Sequence, residues 1–396
     1  MSGALHGLRV IDFSKFLPGP YCTWMLAELG AEVIRIENPR ELAKQRKVFG
    51  WDKLDEQQQA LLRARDIFAR GKRSVLLDPG HPRAQAALHE LIRSADILVE
   101  DYRPGVMASM GYGYEAMQTL NPRLIYCAVT LCGQTGPEAS KPGHDPVALA
   151  LAGALSRIGE NPDAPSFPGV PVADLLSGSN AVIGVLAAVI ARAASGKGQL
   201  VDIAMSDAAM ALIATTISRH ADLERLPPRG LPRADSGIWR TADGRHIVTT
   251  DMEPRYWQRF CAVIGRPDLV EAQLDSARWP AIKAEIAAII ATRTQAEWLA
   301  LFEQAGTQFA PVLSVAEALA HPHNRARGMV LELPVGDARQ VVHIGNPLRL
   351  TGTPTPRGNT PAAPSAGRPA GADTHSVLAS LGYDASAIAE LIEEAS

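Results

Sequence analysis

Short apolar runs punctuate the first half of this chain: Leu8 to Phe13, Val33 to Glu37, Ala95 to Glu100 and Leu124 to Val129. Each is bounded by polar or turn residues and is rich in Val, Ile and Leu, the pattern of buried strands. Between the first two, Pro18-Gly19-Pro20 opens the helical pattern Y-C-T-W-M-L-A-E-L-G, which Gly30 closes. Strand, helix, strand in that order is a βαβ unit, so a parallel sheet with right-handed crossovers is predicted. A longer apolar helix is predicted from Asp174 to Ser195, stopped by Gly196-Lys197-Gly198. The strand Q-L-V-D-I-A-M and a helix starting near Ser206 follow it.

After about residue 225 the texture changes. P-P-R-G-L-P-R reads as a loop, and S-G-I-W-R-T-A-D-G-R-H-I-V-T-T as a hairpin turning at Asp243-Gly244. Helical periodicity then runs from Glu253 to about Gln304, broken by Pro267 and Pro280. Near Met329 strands return, M-V-L-E-L-P and Q-V-V-H-I-G-N-P-L-R-L. A Pro/Gly/Ala-rich stretch from Thr351 to Ala372 reads as an extended arm, and a last helix is predicted from Asp384 to Glu394. The expected division is therefore 1–225, a smaller α+β domain at 226–328, and a return at 329–396. There are no tandem repeats.

Composition narrows the function. The 396 residues are 46% hydrophobic and 20% charged, enough for two cores. A net charge of −3 gives no reason to expect nucleic acid or an anionic membrane as partner. Cys22, Cys127, Cys132 and Cys261 lack metal-ligand spacing, so no metal is expected, and their scatter fits reduced thiols in a cytoplasmic protein. The N-terminus reads as a first strand, with no signal-peptide pattern. Ala181 to Ala194, the most apolar stretch, contains Gly184 and Arg192 and is too short to span a bilayer, so it is expected in the core of a soluble protein.

Candidate chemistry gathers at segment mouths. His144 precedes the apolar stretch D-P-V-A-L-A-L-A-G-A-L, and Asp174 opens the long helix. A helix N-terminus carries unsatisfied N–H groups that suit an anion or developing oxyanion. One imidazole and one carboxylate converging on a pocket would make an acid/base pair; taken singly, Asp174 reads as a helix cap and His144 as a turn residue. Pro18-Gly19-Pro20 offers backbone N–H groups to an anion but lacks dinucleotide spacing. Arg103, in V-E-D-Y-R-P-G-V, follows a strand where open α/β sheets bind ligands. Lys72 and Arg73 form a basic cluster near a strand start, and Glu253 precedes the Pro that starts a helix.

Taken together, L-R-V-I-D-F, P-G-P, L-A-E-L-G-A-E-V-I-R-I-E, V-E-D-Y-R-P-G-V, G-Q-T-G-P, G-H-D and S-G-K-G-Q-L-V-D-I-A-M-S-D-A are more specific than any one segment. In that order they strongly resemble the family III CoA-transferases, the group that includes α-methylacyl-CoA racemases, over nearly the whole chain. The resemblance implies an α/β fold with a large Rossmann-like domain built from both chain ends and a smaller α+β domain. It further implies an interlocked homodimer, with coenzyme A, as the acyl-CoA substrate, lying against the large domain. Pro18, Gly19, Pro20, Lys72, Arg73 and Arg103 are the candidates to hold it.

Within the family, transferases use the aspartate matching Asp174 as a nucleophile and tend to carry Tyr where this chain has His144. Racemases pair the His of G-H-D with that aspartate and support it with a Glu in an E-P-Q-F-Y-like segment. This chain reads G-H-D and M-E-P-R-Y-W, so His144, Asp174 and Glu253 match the racemase pattern. The expectation is therefore a 2-methylacyl-CoA racemase, with a family III CoA-transferase as alternative and a non-catalytic CoA-binding subunit as a minor one. One departure stands out. The family's Arg after the second strand is replaced in I-E-N-P by Asn38, leaving Arg35, Arg40 or the Lys72-Arg73 pair to compensate.

Overall fold

The computed structural model describes residues 3–159, 164–226, 233–335, 339–353 and 366–393. Six strands, β1 (Arg9–Asp12), β2 (Glu32–Glu37), β3 (Lys72–Leu76), β4 (Ile97–Glu100), β5 (Ile125–Thr130) and β6 (Leu200–Ala204), form one sheet. Their order is β3-β2-β1-β4-β5-β6, and every pairing is parallel. β4 and β5 are buried at every position, as a parallel sheet covered on both faces requires. The chain builds β2 and β3 to one side of β1, then returns to lay β4 on the other. At such a reversal the carboxyl ends of the two central strands diverge and leave a crevice.

Helices Pro18–Glu28 and Val172–Ser195 cover one face through Trp24, Leu26, Ala181 and Val185. Helix Pro82–Arg93 and the C-terminal helices Thr374–Ser380 and Ala385–Glu393 cover the other through Leu88, Leu91, Val377, Leu378 and Leu391. Each such Leu, Ile or Val contributes about 1.5–3 kcal/mol by leaving water. Ser74 of β3 donates its backbone N–H to Asp373 Oδ2, which ties the returning C-terminal segment to the sheet edge. Helix Val172–Ser195 is longer than its apolar centre suggests, and by length and composition could cross a membrane. Only one of its faces packs on the sheet; Ile183 and Ile190 on the other are exposed. A Cβ on its Gly178 would lie 2.7 Å from the Pro18 carbonyl, so only glycine allows the two helices this approach.

Residues 1–155, 168–219 and 323–396 form one compact unit, and 156–167 with 220–322 form a second. The excursion of 156–167 carries no signal in its sequence. In the second unit β7 (Ser236–Arg240) and β8 (His246–Thr250) make the expected hairpin around Asp243-Gly244, with Gly244 at φ +76°. A third strand, β9 (Phe309–Pro311), pairs antiparallel with β8 and was too short to be seen in the pattern. Trp257, Phe260, Trp298 and Phe302 of the covering helices form the core of this unit. Pro280 stands at the start of helix Trp279–Ile290, where a proline costs no hydrogen bond, so it begins the helix instead of breaking one.

Back in the first unit, β10 (Val330–Val335) and β11 (Arg339–Ile344) form an antiparallel pair that ends at Ile344, short of the expected Leu350. The expected arm of 351–372 lies mostly outside the described residues. Helices Pro39–Val48 and Glu56–Ala64 have no counterpart in the sequence reading, because the first buries no residue and shows no apolar stripe.

Candidate functional site

The crevice between β1 and β4 is a cavity of about 490 Å³, lined wholly by the first unit. Phe16 and Pro18 come from the loop and helix start after β1, Tyr102 and Arg103 from the turn after β4, and Leu131 from the end of β5. The connection from β5 to β6 adds His144 and Asp174. His144 is the N-cap residue of helix Asp145–Leu151; its side chain caps nothing and meets Phe16 edge-on at 5.7 Å between ring centroids. Asp174 lies in the first turn of helix Val172–Ser195 and is not its cap.

That cap is supplied by Asp145, whose Oδ1 accepts the backbone N–H groups of Ala173 and Asp174. The carboxylate is buried and places the His144 turn and the Asp174 helix together. It also consumes two of the amides expected to serve as oxyanion donors at this helix mouth. Asp174 is pushed up to about 6, first by burial, then by the negative charges of Asp145 and Asp101. Its neutral form is therefore accessible near neutral pH, as a general acid requires.

Asp101 is a second shifted carboxyl on this cavity. Burial raises it to about 6 against the opposing pull of two backbone donors, the N–H groups of Lys15 and Phe16. It thereby clamps the loop that carries Phe16. A Cβ at Gly19 would meet Ser14 Cβ at 2.3 Å and Asp101 Oδ2 at 3.1 Å, so the turn into the first helix closes only with glycine there. Sequence reasoning missed both Asp101 and Asp145. Each sits inside a motif quoted for its neighbour, Arg103 or His144, and nothing local marks a carboxylate that will face a distant backbone.

The other expected site residues divide. Pro18 and Arg103 line the cavity, and Arg103 is exposed. Gly19 and Pro20 are buried in the helix start. Lys72 differs from its expected role as a ligand contact: it is buried in the core, its Nζ 2.9 Å from Asp12 and also donating to Thr23 Oγ1 and the Pro20 carbonyl. Burial would raise Asp12, but Lys72, Arg35 and two hydroxyls outweigh it and hold the carboxyl low. Arg73 pairs with Glu32 at 2.8 Å and donates to Ser376. Asn38 caps helix Pro39–Val48 and donates to Asp78, which also pairs with Arg40. Glu253 belongs to the second unit, exposed at the N-cap of helix Pro254–Val263 with no capping bond from its side chain. Among the described residues no three metal-ligating side chains cluster.

Comparison with known proteins agrees with this architecture. Residues 5–369 match the model of CoA-transferase family III. The human alpha-methylacyl-CoA racemase is 31% identical, over 98% of this chain and 96% of its own length. The succinate–glutarate CoA-transferase of Agrobacterium fabrum is 32% identical, over 88% and 90%. The crystal structure of Rv3272 from Mycobacterium tuberculosis superposes with a TM-score of 0.77 at 29% identity, covering 95% of this chain and 99% of that one. The chain belongs to CoA-transferase family III and is an enzyme of that family, which acts on CoA thioesters.

Proposed function

We propose that this enzyme racemises, or epimerises, a 2-methylacyl-CoA thioester. The observation that carries the reading is an imidazole, His144, lining the same cavity as Asp174, a carboxyl raised to about 6. A hydrogen α to a thioester is a weak acid, so its removal needs a positioned base, and inversion needs an acid on the opposite face. Neutral His144 takes the proton, and protonated Asp174 returns one to the other face; the roles reverse for the other enantiomer. Near pH 7 a carboxyl with a value near 6 is about one-tenth protonated, enough to turn over in both directions. Arg103 holds the phosphate-bearing part of CoA, and apolar side chains such as Leu175 and Leu176 surround the acyl group.

A second reading, CoA transfer to a free carboxylate through an acyl intermediate on Asp174, is supported by the transferases among relatives of similar identity. Incubation with 2-methylacyl-CoA in deuterated water separates the two. Deuterium entering the α position without an acceptor supports the racemase. Thioester exchange only when a carboxylate is added would replace that reading with the transferase.

The active form is proposed to be an interlocked homodimer. Ile183 and Ile190 on helix Val172–Ser195, together with Met210 and Ile217, are large apolar side chains left exposed in the single chain, and they support a covering partner copy.

A further inference from the structure

We infer that Phe16 is a positioning residue for His144: the two rings meet edge to face at the cavity wall, and Phe16 thereby fixes the direction in which the imidazole points. The inference rests on the reading of His144 as the base of a racemase.

A general base works only from a set direction, and a catalytic imidazole is commonly aimed by a hydrogen bond to its second nitrogen. Among the described residues the His144 imidazole has no hydrogen-bond partner. Its ring contact is with Phe16, at 5.7 Å between centroids and 76° between the planes. That is a geometry aromatic pairs prefer, and it favours one orientation of the ring by about twofold to tenfold. Rotation of the imidazole is thus restrained sterically where no acceptor restrains it.

Phe16 can act as a guide because its backbone is pinned. Asp101 Oδ2 accepts the backbone N–H of Phe16 at 3.1 Å and that of Lys15 at 3.0 Å. Ser14 donates its backbone N–H to Asp12 Oδ1 at 3.0 Å. Asp12 ends β1 and Asp101 directly follows β4, so the two central strands hold three consecutive amides of this loop. The ring itself is 60% exposed and belongs to neither hydrophobic core of the sheet. Core packing therefore does not account for its placement, and the pinned backbone does.

The test follows α-deuterium incorporation into each enantiomer of a 2-methylacyl-CoA by the intact protein, at saturating substrate so that affinity does not enter. The enantiomer whose α-proton faces His144 is the one that loses exchange in His144→Ala. Phe16→Ala is expected to slow exchange of that enantiomer about fivefold, within the range of an aromatic pair, and to leave the other within twofold. Phe16→Tyr keeps the ring and is expected to match wild type. Phe16→Leu keeps apolar volume without the ring and is expected to match the alanine variant. All three change an exposed side chain and leave the core untouched. In the His144→Ala background, Phe16→Ala is expected to add no further loss, because the two residues act as one unit. Exchange within twofold of wild type in Phe16→Ala, equal slowing of both enantiomers, or full recovery in Phe16→Leu would overturn the inference. Exchange by the wild-type protein without an acceptor would in those cases still uphold the racemase reading. Wild-type protein that incorporates no α-deuterium without an acceptor would overturn both.

Discussion

Asp145 Oδ1 accepts the backbone N–H of Asp174 across 3.1 Å, so one buried carboxylate joins the turn that carries His144 to the helix that carries Asp174. The same negative charge helps to raise Asp174. Asp145→Ala leaves buried amides unpaired and is expected to cost about 1–3 kcal/mol in denaturant titration. It also removes a charge that disfavours ionised Asp174, so the limb of the pH–rate profile set by Asp174 moves to lower pH. Asp145→Asn keeps the acceptor and restores stability while leaving the limb displaced. A stability unchanged in the alanine variant would show that the carboxylate does not hold the helix.

His144→Ala is expected to lower turnover about 100-fold or more, the scale of losing a general base, with CoA binding unaltered. Asp174→Ala abolishes racemisation yet leaves part of the solvent exchange of the α-proton from the His144 face. Hydroxylamine added during turnover leaves wild-type Asp174 unmodified; a hydroxamate there in the mass spectrum would establish an acyl-enzyme and the transferase reading.

Arg103 is exposed on the cavity wall directly after β4. Arg103→Ala is expected to raise KM for CoA esters far more than it alters kcat, the signature of lost uniform binding. An unchanged CoA affinity by calorimetry would reduce Arg103 to a surface residue.

Interlocked subunits cannot part without local unfolding, so the homodimer is expected to persist on dilution and to dissociate only as it denatures. Light scattering at nanomolar concentration checks this, and a folded monomer there would rule it out.

His343 and Arg70 make a titratable clasp in the first unit. Arg70 is fully buried, pairs with Glu28 at 2.9 Å and contacts His343 Nδ1 at 3.2 Å, while His343 Nε2 meets the Ala64 carbonyl at 2.8 Å. Nδ1 must accept from the guanidinium, so the folded chain holds the ring neutral. Burial lowers His343 foremost, and Arg70 adds to it. A histidine lowered on folding contributes stability above its unfolded value of about 6.5 and loses it as pH falls below that point. The melting temperature is expected to drop from pH 7.5 to 5.5, and less steeply in His343→Gln, which keeps an acceptor and a donor without titrating. Equal slopes in the two proteins would remove His343 as a cause.

Much of this was legible in the chain itself. Apolar runs bounded by polar or turn residues announced β1, β2, β4 and β5, most cleanly in β4 and β5, where burial at every position leaves few polar residues to blur the pattern. Asp243-Gly244 announced the hairpin, because local backbone geometry fixes that turn. The order of motifs announced the family, and the residues G-H-D and Asp174 announced the candidate pair. What the chain could not announce was contact at long separation. Lys72 reads as part of a basic cluster open to a ligand until Asp12, 60 residues away, turns it inward. Asp145 and Asp101 read as neighbours of other residues until distant amides reach them. A periodic pattern is a property of neighbouring positions, so it specifies which faces are buried. Which carboxylate is desolvated, and beside which charge, depends on how those faces meet, and only the tertiary structure decides that.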